Sequence, residues 1–317
     1  MKPFEIRKFD LSKYDILEKI EPIGGSRPRL LVKNKINNQR FLIKTYSHTP
    51  YEIWSELLAT NLGELMKVKI QKVAMKNVEV LEKYFFNGKT PKNWIPIAAS
   101  VQHAFPKNCD TVYGQSAEVM GSNKPYFKLS EITEKIRKLN YRSENLLQHF
   151  AEMVIFDAWI GNMDRHHENW GVTLPKRWRQ LKVFREKEGN GVKFATLFDH
   201  GSSLCFELPE EKIKIFLKNR DLFKTSYVLG KSYSFFLNEE GQQENVFSLI
   251  SSVMQLDSDW RKRFKNAIRK LEHVQEIEIA KKILQMPNHK KKKFSDNRRN
   301  LLFFSLICRR EILLKSL

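Results

Sequence analysis

Asp164 and Asn169 stand five residues apart in Ile160-Gly161-Asn162-Met163-Asp164-Arg165-His166-His167-Glu168-Asn169-Trp170. Phosphoryl transfer uses that arrangement: the aspartate orients or deprotonates an attacking hydroxyl, and the asparagine amide oxygen ligates a Mg²⁺ on the nucleotide phosphates. Further along, Thr196-Leu197-Phe198-Asp199-His200-Gly201-Ser202-Ser203-Leu204 ends an apolar run in Asp199, a second carboxylate able to bridge metal and phosphate. Neither piece is specific alone. Asp-x-x-x-x-Asn arises by chance, and Asp199 ahead of Gly201 also reads as an Asx turn closing a strand. Their order, each beside a predicted strand, favours chemistry. A zinc site at His166, His167 and His200 does not follow, because adjacent loop residues diverge and no fourth ligand is well spaced. His166 is expected to brace the catalytic loop.

Upstream parts fit the same chemistry. Gly24-Gly25-Ser26-Arg27-Pro28-Arg29 lies between two predicted strands, where freed backbone amides can approach phosphate oxygens. A plain hairpin turn explains the glycine pair equally well. Lys44 ends the apolar run Phe41-Leu42-Ile43, where a charge is costly unless paired. Its expected mates are phosphates and a carboxylate on the following helix, Glu56 first and Glu52 second. A surface lysine at a strand end is the plainer alternative.

These residues need elements to position them. Strands are predicted over 16–23, 29–33, 40–46, 68–80 and 94–104, with a polar turn at 34–38. Ile53, Leu57, Leu62 and Leu65-Met66 recur at helical spacing after Pro50. From Leu129 the pattern turns helical, and Ser143 to Ile160 carries the widest apolar face. Strands at 170–174 and 193–198 interrupt it, and helices follow Glu210. This order predicts an α+β chain with a small β-rich lobe at 1–122 and a larger helical lobe at 123–317. Gly121-Ser122-Asn123-Lys124-Pro125 marks the break.

The 317 residues are 41% hydrophobic and include 22 Phe, enough for a packed core. No apolar run approaches the roughly 20 residues that cross a bilayer. The start, Met1-Lys2-Pro3-Phe4, lacks a secretory pattern, and Cys109, Cys205 and Cys308 are too far apart for a disulfide framework. A cytoplasmic protein is expected. The net charge of +20 favours polyanionic partners or, more plainly, a solvated basic surface.

The stretch Phe156 to Gly171, followed by Leu197 to Leu204, resembles the catalytic and metal-binding motifs of HipA-like serine/threonine kinases. The glycine pair, Lys44 and Trp54-Ser55-Glu56 fit the same template, so the resemblance spans residues 20 to 205. It implies a bilobal protein-kinase-like fold, ATP, Mg²⁺ and transfer of the γ-phosphate to a protein hydroxyl. It assigns Asp164 as catalytic base with His166 beside it, Asn169 and Asp199 as metal ligands, and Lys44 as phosphate anchor, with Gly24, Gly25 and Ser26 over the phosphates. Glu118 and Met120 would lie at the hinge that meets adenine. Members of the family are often toxins paired with a DNA-binding antitoxin, and some autophosphorylate a serine at the position of Ser26. Two departures stand out: the chain is short for full-length HipA toxins, and the basic stretch 175–191 is long.

The same loop also resembles that of phosphoinositide kinases, for which the basic surface would suit anionic headgroups, although no lipid-binding accessory segment is evident. A third reading is a nucleic-acid-binding pseudokinase, carried by His289-Lys290-Lys291-Lys292-Lys293-Phe294, Arg298-Arg299 and Arg309-Arg310. Such patches would also let an active kinase engage tRNA or another polyanion.

Overall fold

The computed structural model describes residues 4, 6–20, 29–44, 51–77, 99–103, 111–115, 119–122, 124–139, 143–175, 192–288 and 293–317. Gly24, Gly25, Ser26, Glu118, the stretch 176–191 and the lysines at 290–292 lie outside the described residues.

Alternation of apolar residues builds a meander near the start of the chain. Strands β2 (Tyr14–Ile20), β3 (Arg29–Asn34) and β4 (Arg40–Lys44) pair antiparallel, with Leu30 opposite Ile43 and Val32 opposite Phe41. Leu30, Val32 and Ile43 are wholly buried. The polar turn between β3 and β4 closes on Asn34, whose Oδ1 accepts from the Ile36 and Asn37 amides. The sheet has six strands in the order β1-β5-β6-β4-β3-β2, adding β1 (Arg7–Lys8), β5 (Val73–Asn77) and β6 (Ala99–His103). Every pairing is antiparallel except β1 with β5.

Helix α1 (Tyr51–Leu65) packs against β5 and β6 on one side and α8 (Glu276–Leu284) on the other. It is buried almost all round, polar Glu52, Ser55 and Glu56 included, so its polar groups must find partners inside the protein. The Trp54 indole donates to the Pro287 carbonyl at 2.7 Å and the Thr60 hydroxyl to the Gln71 carbonyl at 3.0 Å.

The remaining helices gather around α3 (Ser143–Ile160), which matches its predicted bounds. Beside it lie α2 (Leu129–Leu139), α7 (Ser258–Glu272) and α9 (Asp296–Leu314), while α4 (Glu210–Lys218) packs on α9. A short α5 (Arg220–Phe223) continues into a π-helical turn at Lys224–Leu229, and α6 (Val246–Leu256) packs against α7. Phe150, Phe156 and Trp159 of α3 are wholly buried, each contributing roughly 1.5–3 kcal/mol of hydrophobic stabilisation. No helix among the described residues is long and apolar enough to cross a membrane.

Three features differ from the sequence expectation. A second, three-stranded sheet joins β7 (Thr111–Gln115), a strand that the sequence pattern did not suggest, with β8 (Gly171–Pro175) and β9 (Lys193–Phe194). The strand predicted over 193–198 is only two residues long. Leu197 leaves that sheet to bridge Ile70, exchanging hydrogen bonds with Lys69 and Gln71 at 2.8 Å. Finally, of the arginines expected to form a basic C-terminal patch, Arg298 and Arg309 are internal, while Arg299 and Arg310 are only partly covered. Arg298 and Arg309 are 1% and 3% exposed, and Arg298 donates to the Cys205 and Leu208 carbonyls and pairs with Glu210. The reason is helical position: these residues lie on the face of α9 that the protein covers, where their donors satisfy backbone carbonyls.

Candidate active site

The loop after α3 begins with a reversal at Gly161, whose φ of +65° falls in the left-handed region. A Cβ there would stand 2.8 Å from the Arg309 guanidinium, which would have to shift to admit it. The loop then closes on itself and on α3. The Asn162 amide nitrogens donate to Asp157, backbone to backbone and side chain to side chain, both at 2.9 Å, and Asn162 Oδ1 accepts from the Asp164 amide at 3.2 Å. Asn169 Nδ2 donates to the Asp164 carbonyl at 2.7 Å and approaches His166 Nε2 at 3.1 Å. His166 Nε2 lies 3.9 Å from Asp164 Oδ1. The Asp164 carboxylate is more than half exposed.

Arg165 is the internal tie. Its Nε and Nη2 grip the Asp157 carboxylate at 2.7 and 3.0 Å, and its Nη1 donates to the Asn169 and Phe198 carbonyls, both at 2.6 Å. The second Nη2 contact is His200 Nδ1 at 3.0 Å. One buried side chain therefore connects α3, the loop that follows it and the residues on both sides of Asp199. Burial, with the Arg165 charge next, holds the His200 pKa well below the ordinary histidine value, so the ring is neutral. The Ser203 hydroxyl donates to the His200 carbonyl at 2.7 Å, and the Ser55 hydroxyl of α1 donates to the Ser203 carbonyl at 2.8 Å.

That chain of contacts brings α1 and β4 to Asp199. The Lys44 ammonium lies 2.9 Å from Asp199 Oδ1 and 3.4 Å from Glu56 Oε1, joining residues 155 and 12 positions apart. Glu56, rather than Glu52, is the carboxylate that faces Lys44. Burial alone would lower the Lys44 pKa, but the Asp199 and Glu56 carboxylates outweigh it, and the ammonium is held above its ordinary value. Asp199 sits at a φ of +58°, a left-handed conformation that aspartate tolerates better than bulkier residues. Met120 is buried, in helical backbone together with Val119.

The donor set suits a hard divalent cation. Asn169 and Asp199 carry oxygen donors of the kind such a cation takes; Asn169 Nδ2 donates to the Asp164 carbonyl, and Asp199 Oδ1 lies 2.9 Å from the Lys44 ammonium. Sequence reasoning assigned no role to Asp157, Arg165, His200 or Ser203. A signal was present at Asp157, a carboxylate on the apolar face of a buried helix, which demands a buried partner.

Lys44 on β4 meets Glu56 on α1, which backs the sheet, and a helical region with this loop follows; comparison with solved structures finds the same fold. The chain is similar to the Helicobacter pylori proinflammatory kinase CtkA, with a TM-score of 0.72 at 16% identity over 99% of this chain and 96% of that one. It is also similar to a chain of the Shewanella oneidensis MR-1 toxin–antitoxin complex of HipA, HipB and operator DNA. There the TM-score is 0.55 at 11% identity, over 97% of this chain and 67% of that one. No family model matches the sequence, and no curated protein does so by sequence.

Proposed function

We propose that this chain is an ATP- and Mg²⁺-dependent kinase of the HipA-like type that phosphorylates serine or threonine on a protein. The observation that carries the reading is the convergence of Lys44, Glu56 and Asp199, distant in sequence, beside a loop that presents Asp164 and Asn169. Asp164 accepts or orients the hydroxyl proton of the acceptor, and His166 holds that loop in shape. Asn169 Oδ1 and the Asp199 carboxylate would hold magnesium, which supplies charge neutralisation at the phosphate oxygens. Lys44 anchors the α- and β-phosphates, and Glu56 keeps the ammonium in place. Gly24, Gly25 and Ser26 cover the phosphates in this reading, and Glu118 and Met120 meet adenine. The two-lobed division at residue 122 belongs to the same proposal. So do a cytoplasmic location and an antitoxin partner, the latter supported by the HipA–HipB complex in which the second structural neighbour was solved.

The test is incubation of wild type and Asp199→Ala with Mg²⁺ and γ-labelled ATP, alone and with cell lysate, following label into protein and lipid. Label in protein that is lost in the variant is the expected result. Label in lipid alone would replace the protein-kinase reading with the phosphoinositide-type one.

A further inference from the structure

Ser55 and Glu56 are adjacent on α1, and helical geometry turns successive side chains about 100° apart around the axis. Both are buried. Glu56 Oε1 lies 3.4 Å from the Lys44 ammonium, which in turn lies 2.9 Å from Asp199 Oδ1. Ser55 reaches the same segment further along: its hydroxyl donates to the Ser203 carbonyl at 2.8 Å. The Ser203 hydroxyl donates back to the His200 carbonyl at 2.7 Å, which closes the segment between these two grips. Neighbouring residues of α1 therefore hold both ends of the stretch that begins at Asp199, one through Lys44 and one directly.

That stretch has a backbone that needs holding. Asp199, Leu204 and Cys205 take φ values of +58°, +57° and +55°, all in the left-handed region. For a side chain as bulky as leucine the conformation is unfavourable, and it persists only where the surroundings enforce it. Two enforcing contacts come from the helical region. The Leu204 amide donates to the Ile160 carbonyl at 3.0 Å, and the Met163 amide donates to the Ser202 carbonyl at 3.1 Å. A third comes from α1 through Ser55. The Ser203 carbonyl also accepts from the Phe206 amide at 3.2 Å, so the Ser55 hydroxyl is the closer of its two donors. Other ties of α1 lead elsewhere: Trp54 to the Pro287 carbonyl, Thr60 to the Gln71 carbonyl and Tyr51 to Glu210. Loss of the Ser55 hydroxyl leaves those anchors in place and releases the register between α1 and Asp199.

We infer that Ser55 is a positioning residue, which holds the segment 199–205 in register with Glu56 and so sets where the Asp199 carboxylate stands against Lys44. Its part in phosphate transfer rests on the kinase reading given above; the tie between α1 and the segment does not.

The test uses the full chain as wild type, Ser55→Ala, Ser55→Thr and Thr60→Val, each checked for native circular dichroism. Ser55→Thr keeps the donor, and Thr60→Val removes an α1 hydroxyl that is bonded away from Asp199. The first readout is hydrogen exchange over residues 200–206, without nucleotide or Mg²⁺. Exchange should be faster in Ser55→Ala and unchanged in the other two. The second readout is label transfer from γ-labelled ATP, with cell lysate as acceptor, across a range of Mg²⁺. Ser55→Ala should lose at least about tenfold in rate and need at least about tenfold more Mg²⁺ for half its maximal rate, as removal of a group that orients a metal ligand does. Ser55→Thr and Thr60→Val should keep the wild-type values. Wild-type exchange or wild-type transfer in Ser55→Ala would overturn the proposal. So would an equal loss in Ser55→Thr or Thr60→Val, or a lost rate with the Mg²⁺ requirement unmoved. A wild type that transfers no label would retire the kinase reading instead, and the exchange comparison would then decide the positioning by itself.

Discussion

Arg165 and Asp157 form a two-pronged ion pair, at 2.7 and 3.0 Å, with both side chains excluded from solvent. The pair joins helix α3 to the loop that follows it. Removing one partner strands the other in a low-dielectric interior, which costs about 3–5 kcal/mol. Arg165→Leu is therefore expected to lower unfolding stability by that amount in urea titrations. Asp157→Leu/Arg165→Leu should recover part of it, since no carboxylate is then left uncompensated. Only part, because the Asn169 and Phe198 carbonyls still lose their donor.

Lys44 gives a test at alkaline pH. Its folded pKa is raised above the ordinary value of 10.5, with Asp199 and Glu56 overcoming the effect of burial. A raised lysine pKa contributes stability that is complete below the unfolded value and is lost as pH rises through the folded one. The stability difference between wild type and Lys44→Met should then be flat from neutral pH to about 10 and shrink above it. A difference that already shrinks between neutrality and pH 9 would contradict the pairing.

His200 has the opposite sign. Its pKa is depressed, first by burial and then by the Arg165 charge, so the folded state refuses a proton that the unfolded chain accepts. Stability is present above the ordinary value of 6.5 and falls as the solution is acidified below it, by at most about 1.4 kcal/mol per pH unit for one group. His200→Gln should flatten the acid limb of a stability–pH profile measured by chemical denaturation. An acid limb unchanged in slope would show that the other histidines and the carboxylates account for it.

These residues also mark how far the sequence could be read. The spacing of Asp164 and Asn169, the bounds of α3 and the choice of Glu56 over Glu52 were legible, because each rests on local periodicity or on one charge that had to be paired. Arg165 was not legible as a tie: besides the Asp157 carboxylate, its acceptors are two backbone carbonyls and a histidine ring, and backbone carbonyls leave no mark in sequence. The pairing of β7 with β8 and the bridge from Leu197 to Ile70 are non-local in the same way. Arg298 and Arg309 misled for another reason. A run of arginines reads as solvated charge, and nothing in it says which face of α9 will be covered.

Gly161 allows a controlled measure of crowding behind the loop. Alanine at a left-handed position costs about 1–2 kcal/mol from the backbone alone. Gly121 shares the φ of +65° but has nothing within 4 Å of a built Cβ, whereas at Gly161 the Arg309 guanidinium is in the way. Gly121→Ala should show the backbone cost only. Gly161→Ala should exceed it, since Arg309 must leave the Ala158 carbonyl and the Ser232 hydroxyl that it now reaches at 3.2 and 2.7 Å. Thermal unfolding of the two variants compares them directly.

The internal arginines make a last prediction about polyanions. A residue that contacts phosphate contributes to the slope of binding against salt concentration, each contact adding roughly one to that slope. Arg298 donates through Nε, Nη1 and Nη2 to Glu210 and two carbonyls, and its guanidinium lies 3.5 Å from the centre of the Tyr51 ring. It has no face left for a phosphate. Arg298→Gln should therefore reduce stability, by about 1–3 kcal/mol for the acceptors left buried. The salt slope of any tRNA or DNA binding should stay where it was. A slope reduced by about one, at unchanged helix content, would mean that Arg298 reaches phosphate and that α9 opens to admit it.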